Sequence, residues 1–256
     1  MKHFIFKTKQ IILFILRFFF SFLNDGEKCI ICGKKTFVFP VCKNCIVKYF
    51  SIDESLNTPR CKICGRKLIS TKETCSKCRE EKILNRTDTV TPVFSYRLWN
   101  KELLYRWKIK EDRSISVLFA YFVHQVLKQL KYQIIVPVPP RKGKIQKKGW
   151  DQIDELCTYL EKVFGIKVLH ILKRNSTEQQ KKLNRKERLD TISSAYDMES
   201  EEKVFSELKC FNGIMPEDVC LIDDVCTTGA TIECCADILK KNGIKIVNVI
   251  TLFIGD

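Results

Sequence analysis

The chain has 256 residues, with 45 Lys+Arg against 30 Asp+Glu, a formal net charge of +15 and 14 Cys. A hydrophobic fraction of 45%, with 17 Phe, excludes a wholly disordered chain, and the length allows one or two domains with a real core. The charge divides as +10 over residues 1–90, +13 over 91–188 and −8 over 189–256, a field that suits polyanionic partners (nucleic acid, phosphorylated ligands, an acidic membrane surface), with a merely solvated basic surface as the plain alternative.

Residues 4–23 are rich in Phe, Ile and Leu, but Lys7, Lys9 and Arg17 interrupt them. No apolar stretch reaches the ~20 residues of a membrane span, and no small-residue cleavage site follows. At helical spacing Lys7, Gln10, Arg17, Ser21 and Asn24 form a narrow polar stripe, broken by Phe14. An amphipathic helix over 1–24 that packs on the body of the protein is therefore expected, with peripheral membrane contact as the alternative.

Four C-x-x-C pairs follow, at Cys29/Cys32, Cys42/Cys45, Cys61/Cys64 and Cys75/Cys78. Such a pair puts two thiolates on one side of a tight knuckle, and two knuckles complete a tetrahedral Zn²⁺ site. Gly33 and Gly65 each follow the second Cys of a knuckle, where positive φ is useful. Residues 25–85 are thus expected to form a double zinc ribbon holding one or two structural ions. The sequential pairing of knuckles is the simplest, and cross-braced or shared ligation stays open on spacing alone. The other six cysteines (Cys157, Cys210, Cys220, Cys226, Cys234, Cys235) are scattered through segments that read as helix and strand, which speaks against disulfides and for a reducing, cytoplasmic compartment.

From residue 90 the pattern changes. Residues 90–97 read as a strand and 100–130 as helix, with Leu103, Leu104, Trp107, Val117, Leu118, Tyr121, Phe122 and Val126 recurring at three and four. Strands at 134–138, 168–171, 219–222 and 246–254 then alternate with helices at about 150–164 and 230–242. This is the signature of an α/β domain over 90–256, a parallel sheet covered by helices on both faces. The charged stretch 173–190 lacks periodicity and is expected to be a loop.

Residues 219–231 read Val-Cys-Leu-Ile-Asp-Asp-Val-Cys-Thr-Thr-Gly-Ala-Thr. An apolar strand, two carboxylates (Asp223, Asp224) at its end, and a turn of Thr227, Thr228, Gly229, Ala230 and Thr231 opening a helix make an anion cradle. Gly229 lets backbone approach a phosphate. Asp223 and Asp224 would repel that phosphate, so they face hydroxyls or a divalent cation. A phosphate cradle beside two carboxylates suits a ribose 5-phosphate.

The thirteen-residue string resembles the ribose-phosphate signature of type I phosphoribosyltransferases. Val-Pro-Val-Pro at 136–139, a basic run with Arg141, Lys142, Lys144, Lys147 and Lys148, and then Gly149, Trp150, Asp151 and Gln152 narrow the match. Together with the four Cys pairs, and with Gln180, Leu183 and Arg188 further on, they resemble the ComF (GntX-like) family, whose pattern is Val-Pro-Val-Pro, a basic turn and Arg-Gly-Phe-Asn-Gln. The chain departs from it with Lys148, Trp150 and Asp151 in place of Arg, Phe and Asn, with Lys181 and Lys182 where Gly is common, and with Thr191 in place of Asn.

The resemblance implies a double zinc ribbon ahead of a phosphoribosyltransferase-like domain, acting in uptake of transforming DNA. It implies that Asp223 and Asp224 hold the ribose hydroxyls of phosphoribosyl pyrophosphate with Mg²⁺, that 227–231 hold its 5′-phosphate, and that Pro139, Pro140, Arg141 and Lys142 receive the pyrophosphate. Single-stranded DNA and a competence helicase or channel are the implied partners. Lys144, Lys147, Lys148 and Trp150 are nucleic-acid candidates, as are Tyr105, Lys108 and Lys110 with Trp107, although Trp107 fits the core better. An active phosphoribosyltransferase acting on an unidentified base or amine is the alternative, and a sensor of phosphoribosyl pyrophosphate a third. No acceptor pocket is legible. A glutamine-dependent version would need an N-terminal Cys nucleophile, and residue 2 is Lys.

Overall fold

A computed structural model describes residues 19–23, 26–37, 39–52, 56–96, 98–141, 149–175 and 195–255. Most of the expected N-terminal helix, the basic residues Lys142, Lys144, Lys147 and Lys148, and Gln180, Leu183, Arg188 and Thr191 lie outside these residues. Residues 19–23 are helical, but with Ser21 buried and Phe19, Phe20, Phe22 and Leu23 exposed. Over this turn the packed side is the reverse of the expected one, because the Ser21 carbonyl is tied to the Gly26 N–H at 2.7 Å where the chain folds back.

The ribbon region is two copies of one motif. In the first, strands β1 (Glu27–Lys28) and β2 (Lys35–Thr36) pair antiparallel and helix α1 (Lys43–Tyr49) follows the third cysteine. In the second, an Arg60–Lys67 bridge replaces the hairpin, and α2 (Ser76–Glu80) follows the third cysteine. The knuckles match bond for bond: Gly33 N–H donates to Cys29 O and Gly65 N–H to Cys61 O, both at 2.9 Å. Gly33 and Gly65 sit at φ 70° and 69°, the left-handed turn that a side chain would strain.

Five parallel strands form the sheet: β3 (Thr89–Ser95), β4 (Ile134–Pro137), β5 (Lys167–Val168), β8 (Asp218–Cys226) and β9 (Ile246–Ile254), in the order β3-β9-β8-β4-β5. Helices α3 (Leu98–Lys108), α4 (Ser114–Leu130), α5 (Gln152–Lys162) and α7 (Ala230–Lys241) supply the crossovers, while β6 (Leu172–Arg174), β7 (Tyr196–Met198) and α6 (Glu201–Glu207) form a small excursion beside the sheet. Strand residues alternate between two cores, as period two requires. Ile135, Cys220, Ile222 and Ile250 face α4 and α5; Val136, Leu221, Val247 and Val249 face α7. Pro92 is tolerated because β3 is an edge strand.

The ribbons pack on opposite cores. Val41, Phe50 and Ile52 of the first join the α4 side, where Phe50 stacks on Phe122 at 5.5 Å and meets Phe94 edge-on at 5.6 Å. Leu84 and the second cysteine cluster join the α7 side. Gly65 lies so close to β3 that a Cβ there would stand 2.0 Å from the Val90 carbonyl oxygen.

The expected single helix over 100–130 is two helices. Glu111 adopts φ 54°, and the Asp112 carboxylate accepts from Ser114 N (3.2 Å) and Ser114 Oγ (2.6 Å), starting α4 afresh. Trp107 Nε1–H spans the break to Ser116 Oγ at 2.8 Å, and Ser116 Oγ–H in turn donates to Glu155. Trp107 is wholly buried and meets Phe119 edge-on at 4.9 Å, so it is core and not a base-stacking surface. Asp151 caps α5, its Oδ1 accepting from Ile153 N (2.9 Å) and Asp154 N (3.1 Å).

Candidate functional site

The sheet order places the site. From β4 the chain crosses through α5 to β5 on one side; from β8 it crosses through α7 to β9 on the other. Neighbours β4 and β8 therefore leave in opposite directions, and a crevice opens at their C-terminal ends, where ligands bind in open α/β sheets. Val138 N–H donates to Ile222 O at 2.9 Å, so turn 138–141 leaves β4 right beside Asp223. The predicted segments 139–141 and 223–231 thus start side by side at this edge of the sheet.

Strand β8 runs to Cys226, four residues past the expected end, so the carboxylates lie within the strand. Asp223 pairs with Thr251 and Val225 with Phe253 of β9, which fixes the local backbone. Asp223 Oδ1 accepts from Asp224 N–H at 2.8 Å. Burial and the adjacent Asp224 charge push the Asp223 carboxyl up to about 8, partly offset by the Asp224 N–H and by Lys108. Lys108 Nζ is 2.6 Å from Asp224 Oδ2, with the two side chains 33% and 22% exposed. Lys108 is among the nucleic-acid candidates of the sequence. Because α3 ends over the crevice, it is instead the counter-ion of the carboxylate pair.

The turn after β8 exposes Thr227 and Thr228 and buries Gly229 and Ala230. Gly229 takes φ 90° at the N-terminus of α7, and Ala230 N–H reaches Thr228 Oγ1 at 3.4 Å. Thr231 hydrogen-bonds Tyr196 of β7, whose hydroxyl is pushed up to about 12, chiefly by burial. The Arg174 guanidinium lies 5.1 Å from the Tyr196 ring centre.

Beside the turn 137–141 lies a cleft of about 440 Å³, lined among others by Pro139, Pro140, Arg141, His170, Lys173, Arg174 and Lys203, with Asp154 and Glu199. Its surplus of cations suits a polyanion. Arg141 is exposed there. Lys173, Arg174 and Lys203 carried no sequence signal, because the excursion β6–β7–α6 has no periodicity to reveal it. Trp150, a base-stacking candidate from sequence, is 7% exposed and packs in the α4–α5 core, with the Arg113 guanidinium 5.5 Å from its ring centre. The helix that Asp151 caps draws it inward.

Each ribbon gathers four cysteines in sequential pairing: Cys29, Cys32, Cys42 and Cys45, and Cys61, Cys64, Cys75 and Cys78, all ligand atoms of a set within 4.8 Å of one another. Tetrahedral Zn–S bonds of ~2.3 Å imply sulfurs about 3.8 Å apart; Cys32–Cys42 and Cys64–Cys75 measure 3.6 and 3.7 Å. Cys42 N–H and Cys75 N–H donate to Cys29 Sγ and Cys61 Sγ, each at 3.3 Å. Burial raises Cys29 and Cys61, but backbone N–H groups outweigh it and hold them down at about 6 and about 7. Burial and the neighbouring thiols push Cys45 up to about 12. A dication removes that conflict, and both sets fit structural zinc without an open position. Among the described residues no helix is long and apolar enough to cross a membrane.

No family model matches the chain. It is 26% identical over 242 residues to the competence protein ComFC of Streptococcus pneumoniae, covering 88% of this chain and 99% of that one. It is 26% identical over 200 residues to competence protein F of Haemophilus influenzae, covering 75% and 82%. With the ComFC competence protein of Bacillus subtilis the identity is 27% over 221 residues, 85% and 73% of the two chains.

Proposed function

We propose that this chain, which resembles ComF-type competence proteins over most of its length, handles single-stranded DNA during DNA uptake and binds phosphoribosyl pyrophosphate with Mg²⁺. One observation carries the ligand: a carboxylate pair and a glycine-bearing anion turn meet at the switch point between β4 and β8, beside a cationic cleft. Asp223 and Asp224 accept hydrogen bonds from ribose hydroxyls, and backbone N–H groups and hydroxyls of 227–231 receive the 5′-phosphate. Arg141 and the cleft beyond it take the pyrophosphate. The carboxylates are hard oxygen donors of the kind Mg²⁺ prefers, and the ion would offset the charge of the phosphates.

For DNA, the first ribbon exposes Lys28, Lys34, Lys35, Lys43 and Lys48, a cationic surface suited to a phosphate backbone. A cytoplasmic setting beside a DNA-translocating helicase or channel belongs to the same reading. The test uses zinc-loaded protein. Calorimetry with phosphoribosyl pyrophosphate and Mg²⁺ should show binding that Asp224→Ala abolishes, with no pyrophosphate released when purine and pyrimidine bases are added. Affinity for single-stranded DNA should fall with salt. Turnover with one base would replace the accessory role with that of a phosphoribosyltransferase, and unchanged affinity in Asp224→Ala would refute the site.

A further inference from the structure

The second ribbon and the segment after it touch the anion turn at several independent points. Leu84 is buried with its side chain against Gly229; a Cβ on that glycine would lie 3.0 Å from Leu84 Cδ2 and Cγ. In the first turn of α7, the Glu233 carboxylate accepts from Asn85 N–H (2.8 Å) and from Arg86 N–H (3.1 and 3.0 Å). Arg86 Nε then pairs with Asp237 Oδ1 at 3.1 Å, one turn further on. Arg66, two residues after Cys64, donates to the Gly255 carbonyl, while Gly255 N–H returns to Cys226 O at 2.9 Å. Residues on both sides of the turn, Cys226 and Glu233, are therefore tied to the second ribbon and to the segment that follows it.

Gly229 at φ 90° has many alternative conformations, and Thr227 and Thr228 are exposed. The first ribbon packs on the opposite core, among α4 residues, and shares none of these contacts.

We propose that the second ribbon is a structural part of the anion site: Leu84, Arg66 and the Asn85–Arg86 backbone fix residues 226–233, so that metal binding at Cys61, Cys64, Cys75 and Cys78 sets the affinity of the turn for a sugar phosphate. The inference rests on the reading of 227–231 as the anion turn. Leu84, Arg66 and Glu233 are positioning residues; they touch the backbone that holds the ligand, not the ligand. Preorganisation of a flexible turn is what their loss would remove.

The test compares zinc-loaded wild type, Leu84→Ala and Leu84→Met, each first shown to carry the same zinc. Hydrogen exchange, without ligand, should be about tenfold faster at 227–232 in Leu84→Ala, unchanged in β4 and the first ribbon, and restored in Leu84→Met. Calorimetry with ribose 5-phosphate should show affinity about tenfold weaker in Leu84→Ala and near wild type in Leu84→Met. Equal exchange in all three proteins would overturn the proposal. Faster exchange with no ribose 5-phosphate binding by any of them would uphold the coupling and sink the sugar-phosphate reading instead.

A second measurement needs no variant. In equilibrium competition with a chelator, ribose 5-phosphate should tighten the binding of one zinc equivalent and leave the other unchanged, since linkage is reciprocal. Equal tightening of both, or of neither when calorimetry shows binding, would overturn the proposal.

Discussion

Asp223→Asn is expected to stabilise the fold, by an amount that grows with pH. The native carboxyl lies at about 8 against an ordinary 3.8, raised first by burial and then by the Asp224 charge. With the folded value above the unfolded one, the native state keeps a proton that the unfolded chain gives up. Wild-type stability is therefore lost as pH rises from about 4 towards about 8, at up to ~1.4 kcal/mol per pH unit, whereas the asparagine variant has no such dependence. Between about pH 5.5 and about pH 7.5 that is at most ~2.7 kcal/mol, and partial solvent access reduces it to about 1–2 kcal/mol. For a chain of this size each kcal/mol moves Tm by ~2–4 °C, so the gap between variant and wild type should widen by about 2–8 °C. Differential scanning calorimetry of both zinc-loaded proteins across this range measures it; a gap that stays constant or narrows would refute the assignment of a half-buried, protonated Asp223.

Two further outcomes follow from the same geometry. Lys108→Met removes the cation 2.6 Å from Asp224 and should tighten Mn²⁺ binding about tenfold in paramagnetic resonance titrations, because the competing charge is gone; unaltered binding would mean that the ion goes elsewhere. Ser116→Ala removes the acceptor of Trp107 Nε1–H and a donor to Glu155 and should cost about 1–3 kcal/mol in urea unfolding, while a change under ~0.5 kcal/mol would show that water replaces both bonds.

Features that repeat or punctuate were legible in the chain. Four C-x-x-C knuckles, the first of each pair followed by glycine, could be read because their spacing fixes a local turn, whereas which knuckles share an ion was decided by the fold. Strand β9 was read at its observed bounds, Ile246–Ile254, since a buried parallel strand is a continuous apolar run. The sequence presents 100–130 as one helix because apolar periodicity resumes after residue 113; the Asp-Arg-Ser sequence at 112–114 is the signal for the break. Trp150 looked like a stacking residue among lysines because composition cannot tell which side of a loop the next helix pulls inward.

By itself, then, the sequence determined the α/β class, the four cysteine knuckles and the string Asp223–Thr231, all products of neighbours in the chain, while the grouping of the knuckles into two sets came from the fold. The tertiary structure decided what surrounds that string. Strand order set β4 beside β8 and opened the crevice. The end of α3 brought Lys108 to Asp224, and the second ribbon laid Leu84 beneath Gly229. The physical reason is that these contacts join residues 85 or more positions apart in the chain, and neither partner carries any local periodicity or spacing that encodes the other.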